Sequence, residues 1–295
     1  RGLVDRVVAD GRCEFVEDIA VDLPLIAICE LMGVPLDKRQ RLFELTNIML
    51  GMDDPELATS EEDGLNAAME MFMMAMELAT DHRANPKNDI VNILLTGTVE
   101  DEPLSDEDFC NFFLMLIVAG NETTRTVTSH GMRLLMDHPD QLQYLVDNPD
   151  KIPNACEEML RYNTAFILMR RTAMEDTEIN GLQIRKGDKI ILHYHTVNHD
   201  EDLFGEDAMQ FDVTRAERIP DLYNQHRAFG IGQHFCLGTH LARLEMRVMF
   251  EEIIPRLRNP KLAGTIEYTR SNLVNGIKRM PITFDPEAKQ GSAAA

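Results

Sequence analysis

Through most of the chain apolar residues recur every three or four positions, the spacing of helices that turn one face inward. The pattern predicts a helix over 36–50, closed by Gly51 and an Asp53-Asp54-Pro55 turn. A second helix is predicted over 61–82, crowded with Met69, Met71, Met73, Met74 and Met76, and a short one over 89–95. Ser105-Asp106-Glu107-Asp108 has the form of a capping box, and the helix it opens runs unbroken to Asp137, ahead of Pro139. At 1.5 Å per residue, roughly 32 residues reach about 48 Å, enough to cross a whole domain. Such a helix has to be largely buried, and the run Phe112-Phe113-Leu114-Met115-Leu116-Ile117-Val118 agrees. Further helices are predicted over 153–162 and 237–257, and the first six residues already read as helix.

Elsewhere the period drops to two. Residues 166–173, 177–179 before an Asn180-Gly181 turn, and 189–195 after Lys186-Gly187 read as strands, and 261–284 alternates as small β-structure. Residues 200–228 combine weak periodicity with many charges and are expected to be irregular but packed. Residues 287–295 read as a disordered tail. With no repeat and no linker, the expectation is one mainly α domain over 1–286 with a minor β part.

Composition narrows this picture a little. No apolar run approaches the roughly 20 residues of a membrane span, and the opening residues have no apolar signal-peptide core, so a cytoplasmic protein is expected. The net charge of −21, from 29 basic and 50 acidic residues, opposes nucleic-acid binding, which needs a positive footprint. The five cysteines, Cys13, Cys29, Cys110, Cys156 and Cys236, are odd in number, widely spaced and free of any CxxC, so neither a disulfide framework nor a zinc knuckle is indicated. Four sit in apolar helical context; Cys236 is flanked by glycines and aromatics.

Phe229-Gly230-Ile231-Gly232-Gln233-His234-Phe235-Cys236-Leu237-Gly238 matches F-x-x-G-x-(H/R)-x-C-x-G and resembles the haem-binding loop of the cytochromes P-450. Ala119-Gly120-Asn121-Glu122-Thr123-Thr124, in the middle of the longest helix, resembles that family's oxygen-activation segment. Glu158 and Arg161 fit its E-x-x-R helix, and Phe211-Asp212-Val213-Thr214-Arg215 has the form expected for a third cluster member, Arg215. The resemblance runs from Ile19 onward and implies a cytochrome P-450 fold incomplete at the N-terminus, the family's N-terminal quarter being absent.

The resemblance implies haem b, with Cys236 as the iron ligand. A ligating thiolate needs backbone N–H donors, a positive neighbour and a close backbone, which Gly230, Gly238 and the start of the following helix are expected to provide. Phe229 and His234 belong to the same cofactor-binding loop, His234 as a donor to a haem propionate; Arg171 is a second propionate partner, with Arg170 the alternative. Gly120 is expected to let the long helix open, Thr123 to donate to dioxygen and Glu122 to relay protons. The reading of Glu122 and Thr123 from the residues alone is a solvated acid and a hydroxyl bonded back to the i−4 carbonyl. Glu158, Arg161 and Arg215 are implied to form a buried cluster in which every charge must be paired. His226 is expected to be structural.

The family reading implies a bacterial monooxygenase supplied by a ferredoxin and a ferredoxin reductase, since the chain carries no nicotinamide or flavin fingerprint. Arg243 and Arg247, one turn apart after Cys236, are the expected basic patch for that partner. Leu116 and Ala119, Ala165-Phe166-Ile167 and Leu273-Val274 are expected to line an apolar substrate pocket, suited to a steroid or terpenoid before an alkane or fatty acid. The methionine-rich helix reads as core and as part of the pocket roof. Two other readings stay open: a haem-thiolate binding or sensing protein without turnover, and a non-haem helical interaction protein that leaves the cysteine loop unexplained. A metal site from His193, His195 and His199 lacks a completing acid or cysteine.

Overall fold

The frame is one helix, Asp106–Asp137, 32 residues long in the computed structural model, which describes residues 1–57, 60–99 and 101–287. The Ser105 hydroxyl accepts from the Asp108 N–H at 3.1 Å and caps it. Three cores lie along it, one of them joining Met132 to Val16, Ile19 and Ile253. Toward its N-terminal half, Phe109, Phe113 and Ile117 pack with helices Asp22–Leu31, Arg39–Leu50 and Glu61–Ala84. Toward its C-terminal half, Val127, Leu134 and Leu135 pack with helices Ile152–Tyr162 and Thr239–Ile253.

Two glycines mark where those neighbours cross most closely. A Cβ on Gly120 would sit 2.9 Å from Ile28 Cγ1, and one on Gly131 would sit 2.6 Å from the Phe250 ring. The long helix is continuous through Gly120 rather than opened there, so this glycine serves the approach of Asp22–Leu31. Of the methionines in Glu61–Ala84, Met71 is core, whereas Met69, Met73 and Met76 are exposed.

The β-structure is in small pieces. Strands Arg12–Glu14, Pro281–Asp285 and Arg258–Leu262 form an antiparallel sheet in that order, joining the two ends of the described chain. Leu168–Thr172 pairs with Lys189–His193, and Thr177–Ile179 with Leu182–Ile184. The latter hairpin turns at Asn180 and Gly181, both at positive φ (50° and 81°), the backbone a two-residue hairpin of the primed type requires.

Two expectations change. The strand predicted to His195 ends at His193, whose Nδ1 accepts from the Thr196 N–H and caps a short helix, Tyr194–Val197. His193 and His195 therefore do not share a strand face, and the described residues hold no cluster of three or more metal-ligating side chains. The long helix ends at Asp137, ahead of Pro139, as expected, and Pro139 occupies the first turn of a further helix, Pro139–Asp147, where its missing N–H is harmless. Residues 200–228 are packed and carry short helices at Glu201–Phe204, Arg215–Arg218 and Leu222–Gln225, with Phe204, Ala208 and Leu222 buried. Of the tail expected from residue 287, Glu287 is held by Arg256 at 3.0 Å; residues 288–295 lie outside the described residues. Among the described residues no helix is long and apolar enough to cross a membrane.

Candidate active site

Cys236 closes a tight loop. Gly230 and Gly232 both take positive φ (75° and 76°), and a Cβ on Gly230 would press on the Tyr194 hydroxyl at 3.0 Å. After one 3₁₀ turn, Gly232–His234, the Cys236 N–H donates to the Phe229 carbonyl at 3.0 Å. The helix Thr239–Ile253 starts three residues on, so the sulfur lies near the positive end of a 15-residue helix. Burial pushes the Cys236 thiol above its ordinary pKa, opposed by the Gly238 N–H and the Arg243 guanidinium. Cys236 itself is half-buried, while its neighbours Ile231, Phe235 and Leu237 are 62%, 50% and 71% exposed, and His234 is exposed beside them. A loop held this firmly that turns apolar side chains outward is built to meet an apolar surface.

Behind the loop lies a cluster of paired charges. Arg243 forks onto Glu157 at 2.8 and 2.9 Å and stacks over the rings of Tyr223 and Phe229. His226 reaches the same carboxylate through Nε2 at 2.9 Å and accepts the Ala228 N–H on Nδ1. Burial would raise the Glu157 pKa, but the bonds from His226 and Arg243 outweigh it and hold the carboxyl below its usual value. Arg243 is thus committed inside the protein and does not form the expected surface patch with Arg247, which stays about half exposed beside Glu251.

On the long helix, Ala119 is exposed and Thr123, one turn on, is half-buried, although the turns that follow are almost wholly enclosed. The Thr123 hydroxyl donates to the Ala119 carbonyl at 2.7 Å. Glu122 turns elsewhere: it is 3% exposed, paired with Arg125 and bonded by Thr126 at 3.3 Å. Arg125 in turn donates to Asn47 at 3.1 Å and lies over the Phe43 ring, linking this carboxylate to helix Arg39–Leu50. Glu122 and Thr123 are adjacent in sequence but have different hydrogen-bond partners.

Glu158, Arg161 and Arg215 are fully buried together. Arg161 grips Glu158 with two bonds of 2.7 and 2.8 Å, and Arg215 Nε reaches both carboxylate oxygens at 3.1 and 3.0 Å. The remaining guanidinium nitrogens donate to the carbonyls of Asn198, Phe204, Ala208 and Gln210 and to Asp207. This cluster pins the segment that precedes the cysteine loop.

Two of the three pocket segments are joined directly. Phe166 and Val274 form an isolated antiparallel bridge, the Ile167 N–H donates to the Leu273 carbonyl at 2.9 Å, and the Asn275 N–H to the Ala165 carbonyl at 2.8 Å. Leu116 is half-buried on the long helix. Arg171 is half-buried in strand Leu168–Thr172, donates only to the neighbouring Arg170 carbonyl, and has no carboxylate partner among the described residues; Arg170 is exposed.

Three polar residues that the sequence reading passed over complete the neighbourhood. Asn121 is wholly buried with neither amide atom partnered. Glu245, on the helix after Cys236, is 5% exposed; burial raises its pKa to about 7, and Thr124 gives only a marginal contact. His130 is also enclosed. The signal available for all three was a polar side chain on the inward face of a helix.

The family model for cytochrome P-450 matches residues 36–262, and the chain belongs to that family. It is similar to linalool 8-monooxygenase of Pseudomonas putida, 38% identical over 285 residues, 97% of this chain and 68% of the relative. It is 39% identical to steroid C26-monooxygenase of Rhodococcus jostii over 284 residues, 96% of this chain and 58% of the relative. Among solved structures, a Mycobacterium marinum cytochrome P-450 in complex with pseudoionone superposes with a TM-score of 0.88 at 34% identity, covering 96% of this chain and 68% of that one. The chain thus spans 58–68% of the length of these curated relatives.

Haem b with its iron is the cofactor of this family, and the residues present fit it. Cys236 offers a sulfur already facing an N–H donor and a helix N-terminus; Phe229, Gly230 and Gly238 shape the backbone around it; the exposed Phe235 and Leu237 suit a flat apolar macrocycle. Arg171, without an acid of its own, and the exposed His234 would hold the propionates. When bound, the haem supplies thiolate-supported oxygen chemistry.

Proposed function

We propose that this chain carries the larger part of a haem-thiolate monooxygenase that inserts one atom of dioxygen into a lipophilic substrate. The observation that carries the reading is the Cys236 loop: one thiol with its donors in place, surrounded by outward-facing apolar side chains. Thr123 holds a proton beside the exposed Ala119 of the long helix, and Glu122 passes protons on when Arg125 lets go of its carboxylate. The substrate wall is built from Leu116, Ala119, Ala165, Phe166, Ile167, Leu273 and Val274. None of these offers a charge, so an apolar substrate gains about 0.8 kcal/mol per buried CH₂ there while a charged one is penalised. Relatives named for linalool, for steroids and for methyl-branched lipids support a lipophilic substrate, and a terpenoid or steroid is favoured over an alkane or fatty acid.

Electrons come from a ferredoxin and its reductase, and the protein works in the cytoplasm. The docking face includes the exposed Arg247, which borders a groove of about 360 Å³ with Tyr223, His240 and Leu244. A second reading, haem binding without turnover, has one observation in its favour: both proton donors are engaged in this arrangement, Thr123 by Ala119 and Glu122 by Arg125.

Thr123→Ala in the haem-loaded full-length protein separates them. A monooxygenase variant lacking this donor keeps substrate binding and reductant consumption but releases hydrogen peroxide, with product formation down by a factor of about 10²–10⁴. Full coupling of electrons to product would remove Thr123 from the mechanism. Absence of substrate-dependent reductant consumption in the wild type as well would favour the second reading.

A further inference from the structure

His130, in the second half of the long helix, takes no part in the chemistry above, yet it is 3% exposed. Its Nε2 lies 2.7 Å from the Asn275 carbonyl oxygen. A carbonyl only accepts, so Nε2 carries the proton, and Nδ1 is left buried without a partner. Burial lowers the imidazole pKa to about 4; the Arg133 guanidinium adds to this and the bond to Asn275 opposes it. The ring is therefore a neutral, single donor at physiological pH, stacked 6.3 Å from the Tyr268 ring.

The atom it holds is the junction of the substrate wall. Asn275 donates its own N–H to Ala165, Ile167 donates to Leu273, and Phe166 bridges Val274. Ser271 Oγ accepts the N–H groups of Leu273 and Val274, each at 3.1 Å, which shapes the turn. A contact this short is weakly held by its own ladder, and a one-residue slip would exchange the side chains on its two faces. The His130 bond ties that register to the longest helix of the molecule.

We propose that His130 is a specificity-positioning residue, which through the Asn275 carbonyl fixes the register of residues 271–276 against 164–167 and so sets which of Phe166, Ile167, Leu273 and Val274 face the substrate. The inference rests on reading those residues as the substrate wall. Its mechanical part, the fixed register, stands on the bonds just described.

The test compares wild type, His130→Phe and His130→Gln in the haem-loaded full-length protein. Phenylalanine keeps the ring and removes the donor; glutamine returns an N–H at similar reach. Hydrogen exchange at the Ile167 and Asn275 amides reads the register. Spectral titration with a sterol ketone and with a monoterpene alcohol, and the distribution of products, read specificity. In His130→Phe both amides should exchange roughly tenfold faster, as expected for one lost hydrogen bond. Sterol ketone affinity should fall by a similar factor, products should spread over more positions, and His130→Gln should restore all three. If His130→Phe does not fold, His130→Asn, polar but too short to reach the carbonyl, replaces it. Unchanged exchange and products in the donor-less variant, or no rescue by glutamine, overturns the proposal. Faster exchange in the variant, with no response of the wild type to either substrate, would keep the register but overturn the substrate-wall reading and the specificity role with it.

Discussion

Two buried polar regions of this molecule are finished in two different ways. Around Glu158, every side-chain nitrogen and oxygen of Glu158, Arg161 and Arg215 has a partner, at zero exposure. Along the long helix and the helix after Cys236, partners run out: Asn121 has none, Glu245 has none well directed, Arg125 leaves Nε and His130 leaves Nδ1 unpaired. A saturated network is rigid and specifies one arrangement, and removing any member strands the others. An under-satisfied band costs stability and is found where structure serves chemistry. The first region holds the chain that leads into the cysteine loop; the second lies against the segment assigned to oxygen activation.

The largest effect expected from this contrast is at the saturated cluster. Arg161→Leu should cost about 3–5 kcal/mol, because it leaves Glu158 short of two bonds and strips the donors from Asn198 and Ala208. Urea unfolding followed by far-UV circular dichroism and by haem absorbance measures it. A loss below about 1 kcal/mol would make the cluster an ordinary surface-strength pair.

Glu245 sharpens the other side with the opposite sign. Its folded pKa of about 7 lies above the unfolded value of 4.5, so the folded protein binds more protons between those limits. Stability is therefore present below pH 4.5, declines as pH rises to 7, and is flat beyond. Glu245→Gln cannot ionise and should be about 3 kcal/mol more stable than the wild type at pH 8, with the difference shrinking toward zero below pH 4.5. Equal stability at pH 8 would mean that the carboxylate finds partners after all.

The fold class was legible because its signal is repetitive: the apolar stripe and the Ser105 cap define the long helix from the sequence. What failed to show were contacts between distant segments. Gly120 read as a weak point in a helix, and only the approach of Ile28 explains it. Arg243 read as a surface cation, and only Glu157, 86 residues earlier, makes it internal. His195 read as a strand residue because apolar neighbours extend the pattern, whereas the strand stops at His193, whose ring caps the next helix. The cysteine loop stood out for the opposite reason, since glycines, aromatics and one thiol occur together within ten residues. His130 and Glu245 had no such local grouping, and their importance lies in which partners they lack.

The central claim is that Cys236 is the iron ligand, and the reduced, carbon monoxide-bound absorption spectrum of the full-length haem protein tests it most directly. The wild type should show the red-shifted Soret band of thiolate ligation. Cys236→Ser should lose that band, while Cys156→Ser, which alters a wholly buried thiol outside the loop, should keep it. A thiolate-type band that persists in Cys236→Ser would contradict the account.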